Sequence, residues 1–300
     1  MPNLAIQTQA LAKNYGSVRA LRGVDLEVRQ GEIFGFLGPN GAGKTTTIRC
    51  LLDLIRPNGG TSRVLCLDPQ KQSRQVRARS GYLPGELYLE DTLTVEATLR
   101  YLNALRDGKA NWGHVRKLAE RLDLDLKIQN RNLSKGNKQK VGVVQALMHQ
   151  PELLMLDEPT SGLDPLMAQE VLRMLEEAKS AGATVFFSSH IISEVEQVAE
   201  RVGIIRQGVV VEVAETQALI ERALRRGRVR FKKPVQVECL KRIAGVKVLS
   251  ADGVTIHLQI EGEMDALIKT LAKFPLAEFE TERPSLEEVF LAYYEGGNKS

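Results

Sequence analysis

The chain has 300 residues, 43% of them hydrophobic and 26% charged, with a formal net charge of +4. That length and apolar content support one large domain or two modest ones around a sizeable core, and they exclude a disordered chain. The small net charge does not point to nucleic acid, and three scattered cysteines (Cys50, Cys66, Cys239) without metal-ligand spacing read as reduced, mostly buried side chains of a reducing compartment.

In chain order, Met1 to Ala10 has no basic segment followed by an apolar stretch, so no secretion signal is expected. Short strands are expected over Leu4 to Thr8, Val24 to Val28 and Ile33 to Leu37. The last passes through a glycine-rich loop into a helix over Thr45 to Leu54, which Pro57 and Gly59-Gly60 end. Apolar spacing near 3.6 predicts helices over Thr94 to Leu105 and Trp112 to Leu122, within a mostly helical insertion of about residues 88 to 150. Leu153 to Leu156 and Thr184 to Phe187 read as buried strands. Ala168 to Lys179 and Ile191 to Ala199 read as helices, and Val202 to Ile205 with Val209 to Val213 as a hairpin around Gly208.

Near residue 220 the character changes. Arg222, Arg225, Arg226, Arg228 and Arg230 gather around Gly227 and read as a solvated linker, with contact to anionic lipid headgroups as the lesser alternative. Strand-like pieces at Val235 to Glu238, Val246 to Leu249 and Val254 to Ile260 follow, then helical stretches Met264 to Lys273 and Ser285 to Tyr294. Ser285 and Glu288 form a capping box for the last, with Leu286, Val289, Phe290 and Tyr293 on one face. The expected organisation is a large α/β domain over 1–220 and a small α+β accessory domain over 221–300. No stretch approaches the ~20 apolar residues of a membrane helix, so a membrane role would need a partner.

Gly38-Pro39-Asn40-Gly41-Ala42-Gly43-Lys44-Thr45, followed by Thr46, fits the GxxxxGK[ST] phosphate-binding loop. Its glycines let successive backbone N–H groups converge on an anion, and the following helix adds the positive end of its dipole. Lys44 would reach the β- and γ-phosphates of ATP, and the Thr45 hydroxyl would ligate Mg²⁺. Asp157-Glu158 closes an apolar strand, where ligand-binding residues of open α/β sheets belong. Asp157 suits the hold on Mg²⁺, and Glu158 suits the general base.

Four further segments narrow the assignment. Leu133-Ser134-Lys135-Gly136-Asn137 resembles the LSGGQ signature of ABC ATPases. Pro159 to Pro165, with Asp164, resembles their D-loop. His190 resembles the switch histidine, and Tyr15 resembles the aromatic that stacks on adenine. Taken singly, three of them have a plainer reading: a helix cap, a structural or solvated histidine, a half-buried core tyrosine. In this order, with the phosphate loop, the chain is identified as resembling the ABC family over residues 1 to about 215.

The resemblance implies a P-loop NTPase fold and hydrolysis of ATP–Mg²⁺ through Lys44, Glu158 and His190. It also implies ATP contacts from Ser134, Gly136 and Asn137 of a second copy or a homologous cassette. The partner it implies is a separate integral membrane permease, placing the chain in the cytoplasm on the inner face of the membrane, with no nucleic acid expected. The LSKGN variant and the Pro84-Gly85-Glu86 loop resemble exporter cassettes that pair with a separate ABC-2-type permease. The C-terminal Pro284 to Leu291 segment resembles the tail of drug- and antibiotic-export cassettes, or else is an ordinary amphipathic helix closing a small domain. Two departures stand out. Asn137 and Lys135 replace the usual glutamine and glycine. In Gly81-Tyr82-Leu83-Pro84-Gly85-Glu86, Gly85 takes the place of a glutamine that contacts Mg²⁺, so that Glu86 would substitute only if the loop shifts by one residue. The rival readings are a soluble ABC ATPase acting on ribosomes or DNA, and a non-catalytic ATP-dependent dimerisation module.

Overall fold

The computed structural model describes residues 3–108, 110–222, 225–260, 264–282, 286 and 290. The chain divides into two compact units, Met1–Ala214 and Glu215–Ser300.

The first unit opens with β1 (Leu4–Tyr15) and β2 (Val18–Arg29), an antiparallel pair. Then come β3 (Ile33–Leu37), α1 (Lys44–Leu51), β4 (Gly59–Val64), α2 (Pro69–Arg79) and β5 (Ser80–Leu83). The helical insertion contains α3 (Val95–Ala104), α4 (Trp112–Arg121) and α5 (Lys135–Leu147). The chain returns through β6 (Leu153–Asp157), α6 (Pro165–Ser180), β7 (Thr184–Ser189), α7 (Ile192–Val198), β8 (Arg201–Arg206) and β9 (Val209–Glu215).

Two sheets result, one three-stranded (β2-β1-β4) and one six-stranded (β5-β6-β7-β3-β8-β9). Strands β3, β6 and β7 are buried at every residue. They pair in parallel, and strands of such a sheet, covered on both faces, read as near-continuous apolar runs. Phe34, Phe36 and Phe186 cluster at the centre, with Phe34 and Phe186 stacked at 5.8 Å. In the insertion, Val115, Leu118, Ala119 and Leu122 recur at helical spacing and are all buried. Thr94 and Asn111 cap α3 and α4, their side-chain oxygens accepting from Ala97 N at 3.2 Å and Gly113 N at 2.8 Å.

Parallel pairing brings the carboxyl ends of the strands to one edge. Leu37 lies opposite Ser189, and Asp157 opposite Ser188. The loop after β3, the acids ending β6 and the histidine after β7 therefore converge.

The second unit contains α8 (Thr216–Arg222), β10 (Arg225–Phe231), α9 (Glu238–Lys241), β11 (Val246–Asp252), β12 (Thr255–Ile260), α10 (Asp265–Leu271) and β13 (Leu276–Glu282). Its antiparallel sheet has the order β11-β12-β10-β13. The expected arginine linker is corrected here: Arg226 to Arg230 lie in β10, an inner strand of this sheet. Val229 and Phe231 enter the core, while Arg230 and Arg228 pair across the strand with Glu278 at 3.0 Å and Glu280 at 3.7 Å. The opposite charges let an arginine-rich segment accept a strand. The expected strand at Val235 to Glu238 is absent; Glu238 instead opens α9. The expected helix Ser285 to Tyr294, with its capping box, lies outside the described residues except for Leu286 and Phe290. Of the cysteines, Cys50 is buried but Cys66 is exposed and Cys239 is intermediate.

Candidate nucleotide site

The loop between β3 and α1 forms a concave site of about 150 Å³ lined by Pro39, Asn40, Gly41, Gly43, Lys44, Thr45, Thr46, Ala20 and Glu158. Gly41 and Gly43 adopt φ of +80° and +113°, which L side chains rarely take. At Gly43 a Cβ would also lie 2.9 Å from the Ala20 carbonyl oxygen. Lys44 is buried, its ammonium donating to the Gly38 carbonyl at 2.6 Å and the Pro39 carbonyl at 3.2 Å. Burial lowers its pKa, opposed by the nearby Glu158 and Asp157 carboxylates.

Three hydroxyl and carboxyl groups tie the ends of α1, β6 and β7 together. The Thr45 hydroxyl donates to Asp157 Oδ2 at 2.6 Å, and the Ser188 hydroxyl donates to Asp157 Oδ1 at 2.5 Å. Ser188 Oγ also accepts from the Glu158 amide at 3.2 Å. Glu158 has φ +52°, a left-handed backbone that costs a non-glycine residue on the order of 1 kcal/mol or more. Its neighbours hold that conformation. Gln139 Nε2, from α5, donates to the Glu158 carbonyl at 2.8 Å, and the Glu158 amide also donates to the Ser188 carbonyl at 3.1 Å. The result aims the side chain inward: Glu158 Oε1 lies 3.5 Å from Lys44 Nζ and 3.1 Å from His190 Nδ1.

The structure thus brings together Lys44, Thr45, Asp157, Glu158 and His190. Ser188 and Gln139 are additions that the sequence pattern did not single out. The available signals were a hydroxyl pair closing an apolar strand, and a glutamine in the first turns of the helix that the Leu133 to Asn137 segment opens.

The other candidates stand apart in a single protomer. Ser134 caps α5, its Oγ accepting from the Asn137 amide at 3.2 Å. A Cβ at Gly136 would meet the Gly162 carbonyl oxygen at 2.7 Å, so α5 abuts the loop before α6 backbone to backbone. Asp164 caps α6, Oδ1 accepting from Leu166 N and Met167 N at 3.0 Å. Tyr15 is 46% exposed, with Lys13 Nζ 5.4 Å from its ring centroid. At Gly85 a Cβ would lie 3.0 Å from Asp157 Oδ2. A side chain at position 85 would therefore face the Asp157 carboxylate. Glu86 is exposed, its Oε2 accepting from the Tyr88 hydroxyl at 3.0 Å.

Known proteins match the chain over most of its length. Residues 21–161 match the ABC transporter family model. An ABC transporter ATP-binding protein of Synechocystis is 37% identical over 91% of this chain and 78% of its own length. The bacitracin transport ATP-binding protein BcrA of Bacillus licheniformis is 40% identical over 69% of this chain and 68% of its own. The daunorubicin/doxorubicin resistance ATP-binding protein DrrA of Streptomyces peucetius is 32% identical over 97% of this chain and 92% of its own. Among solved structures, the ATP-binding subunit of an ABC transporter superposes with a TM-score of 0.67 at 29% identity, covering 72% of this chain and 91% of that one. A glycine loop on a buried parallel sheet, two acids at the neighbouring strand end and relatives matched along most of their length lead to one assignment: the chain belongs to the ABC transporter ATP-binding proteins, the ATP-hydrolysing subunits of ABC transporters.

Proposed function

We propose that the chain works as a dimer that holds ATP and Mg²⁺ between the glycine loop of one protomer and the Ser134 turn of the other, and that it drives a separate membrane permease. The observation that carries this reading is the placement of Glu158 Oε1 between Lys44 Nζ and His190 Nδ1, beside the Thr45–Asp157 pair. The oxygen donors of Thr45 and Asp157 suit a hard cation, and the glycine-loop amides suit phosphate. Mg²⁺, when bound there, neutralises charge on the β- and γ-phosphates.

Lys44 supplies a buried positive charge to the same phosphates. Glu158 orients a water and takes its proton, and His190 steadies the Glu158 carboxylate. Ser188 keeps Asp157 aimed at Thr45. Tyr15, at the end of β1, offers an exposed ring to adenine. The N-terminus of α5, with Ser134, Gly136 and Asn137, offers the positive end of its dipole to a γ-phosphate across the dimer, and Asp164 follows on the loop before α6. Pairing with a permease places the chain on the inner face of the membrane. The names of BcrA and DrrA favour export. Residues 221–300 serve as an accessory domain.

In the test, Glu158→Gln should still bind ATP, accumulate as an ATP-dependent dimer in light scattering, and lose at least ~10² in hydrolysis. Undiminished turnover would remove Glu158 from the base role. A monomer at saturating ATP–Mg²⁺ would remove the sandwich.

A further inference from the structure

The helical insertion meets α6 at two places that are built differently. Just before α6 the contact is close: Gly136 lies so near the Gly162 carbonyl that no Cβ fits between them. Farther along, α4 faces α6 across a cleft of about 370 Å³ whose lining includes Leu118, Leu147, Met174 and Ala178. Protein interiors pack close to crystal density, so an opening of this size means that apolar side chains do not interlock the two helices there.

What joins them is Arg121, at the end of α4. Its guanidinium donates to both oxygens of Glu177, Nη1 to Oε2 at 2.5 Å and Nη2 to Oε1 at 2.8 Å, and through Nε to Glu170 Oε1 at 2.7 Å. Glu170 and Glu177 lie seven residues apart, about two turns along one face of α6. Hydrogen bonding to Arg121 holds the Glu177 carboxyl below the usual range, against a smaller effect of burial. The planar guanidinium pairs bidentately with a carboxylate, so the clasp constrains an angle as well as a distance. Meanwhile α6 lies against β3 and β7 of the central sheet and buries Val171, Leu172, Met174 and Leu175. One end of α6 is therefore a fixed pivot for the insertion, and the clasp sets the opening at the other.

We propose that Arg121 is a positioning residue whose grip on Glu170 and Glu177 sets the angle of the insertion to α6, and so aims the Ser134 turn at the nucleotide of the second protomer. This rests on the dimeric sandwich proposed above. Arg121 touches neither nucleotide nor metal in this arrangement, so its loss separates assembly of the composite site from ATP binding within one protomer.

The test is a double-mutant cycle on the full chain with Arg121→Ala, Glu177→Ala and the pair, followed by ATPase turnover, binding of a fluorescent ATP analogue to the monomer, and thermal melting. Turnover is expected to fall at least fivefold in each single variant and no further in the pair, with monomer affinity within twofold of wild type. In the Glu158→Gln background, Arg121→Ala should need at least fivefold more ATP to dimerise. Turnover within twofold of wild type, losses that multiply in the pair, or a matching loss of monomer affinity would each overturn the proposal. If Arg121→Ala does not fold, Glu177→Gln, at a side chain 60% exposed, is judged by the same criteria. Failure of Glu158→Gln alone to dimerise would count against the sandwich. A dimer that forms equally well with Arg121→Ala would count against the clasp only.

Discussion

At the residue scale, the site depends on an acid held in a backbone conformation it would not choose. Glu158 sits at φ +52°, and Ser188 and Gln139 fix its amide and carbonyl. None of this can be read from the Asp157-Glu158 pair in the sequence, because the anchors come from β7 and α5. The loop after β5 is a second case. The direction of a Cβ at Gly85, toward Asp157 Oδ2, supports reading Gly85 in the place of the family's glutamine. Glu86 points to Tyr88 instead, and reaches the site only if the loop shifts. We propose that it does so when the permease is engaged, linking nucleotide to transport. Glu86→Ala should then lower transport by about tenfold or more while ATP binding is retained, given what one preorganised polar contact contributes. Transport and ATPase rates at wild-type level would end that role.

At the scale of elements, β3, β6 and β7 are plain in the sequence because apolar runs buried on both faces leave no alternation to misread. Strand β10 is hidden for the opposite reason. Its arginines look solvated until Glu278 and Glu280 are set across from them. The insertion holds a further polar joint. Arg106, just beyond α3, lies 3.1 Å through Nη1 from His149 Nε2, which is also 3.3 Å from the Ser80 carbonyl at the start of β5. Burial, then the positive charge of Arg106, pushes the His149 pKa down to about 4. The unfolded chain, with a histidine near 6.5, binds the proton more readily than the folded one. The neutral His149 therefore contributes stability that is fully present above pH ~6.5 and is lost as pH falls toward 4, up to about 3 kcal/mol. In urea unfolding, the stability of wild type relative to His149→Gln should fall by up to about 3 kcal/mol as pH drops across that window. Parallel pH dependence would refute the assignment.

At the scale of the molecule, two separate cores stand out. One gathers Phe34, Phe36, Ile48 and Phe186; the other gathers Val229, Phe231, Leu258 and Leu267. We propose that the second is an independent accessory domain. A chain ending at Ala214 should then bind ATP within about threefold of full length and melt in one cooperative transition. A truncated chain that aggregates or loses ATP binding would show that the first unit needs the second. The sequence by itself determined the phosphate loop, the acids at the end of β6, the order of the family's segments and the buried strands, because each is carried by residues close together in the chain. Only the tertiary structure decided which side chains share the Glu158 carboxylate, which hydroxyl steadies Asp157, that an arginine-rich segment is a strand, and that Arg121 joins α4 to α6. Those depend on partners dozens of residues away, which meet only when parallel pairing and helix packing bring them side by side.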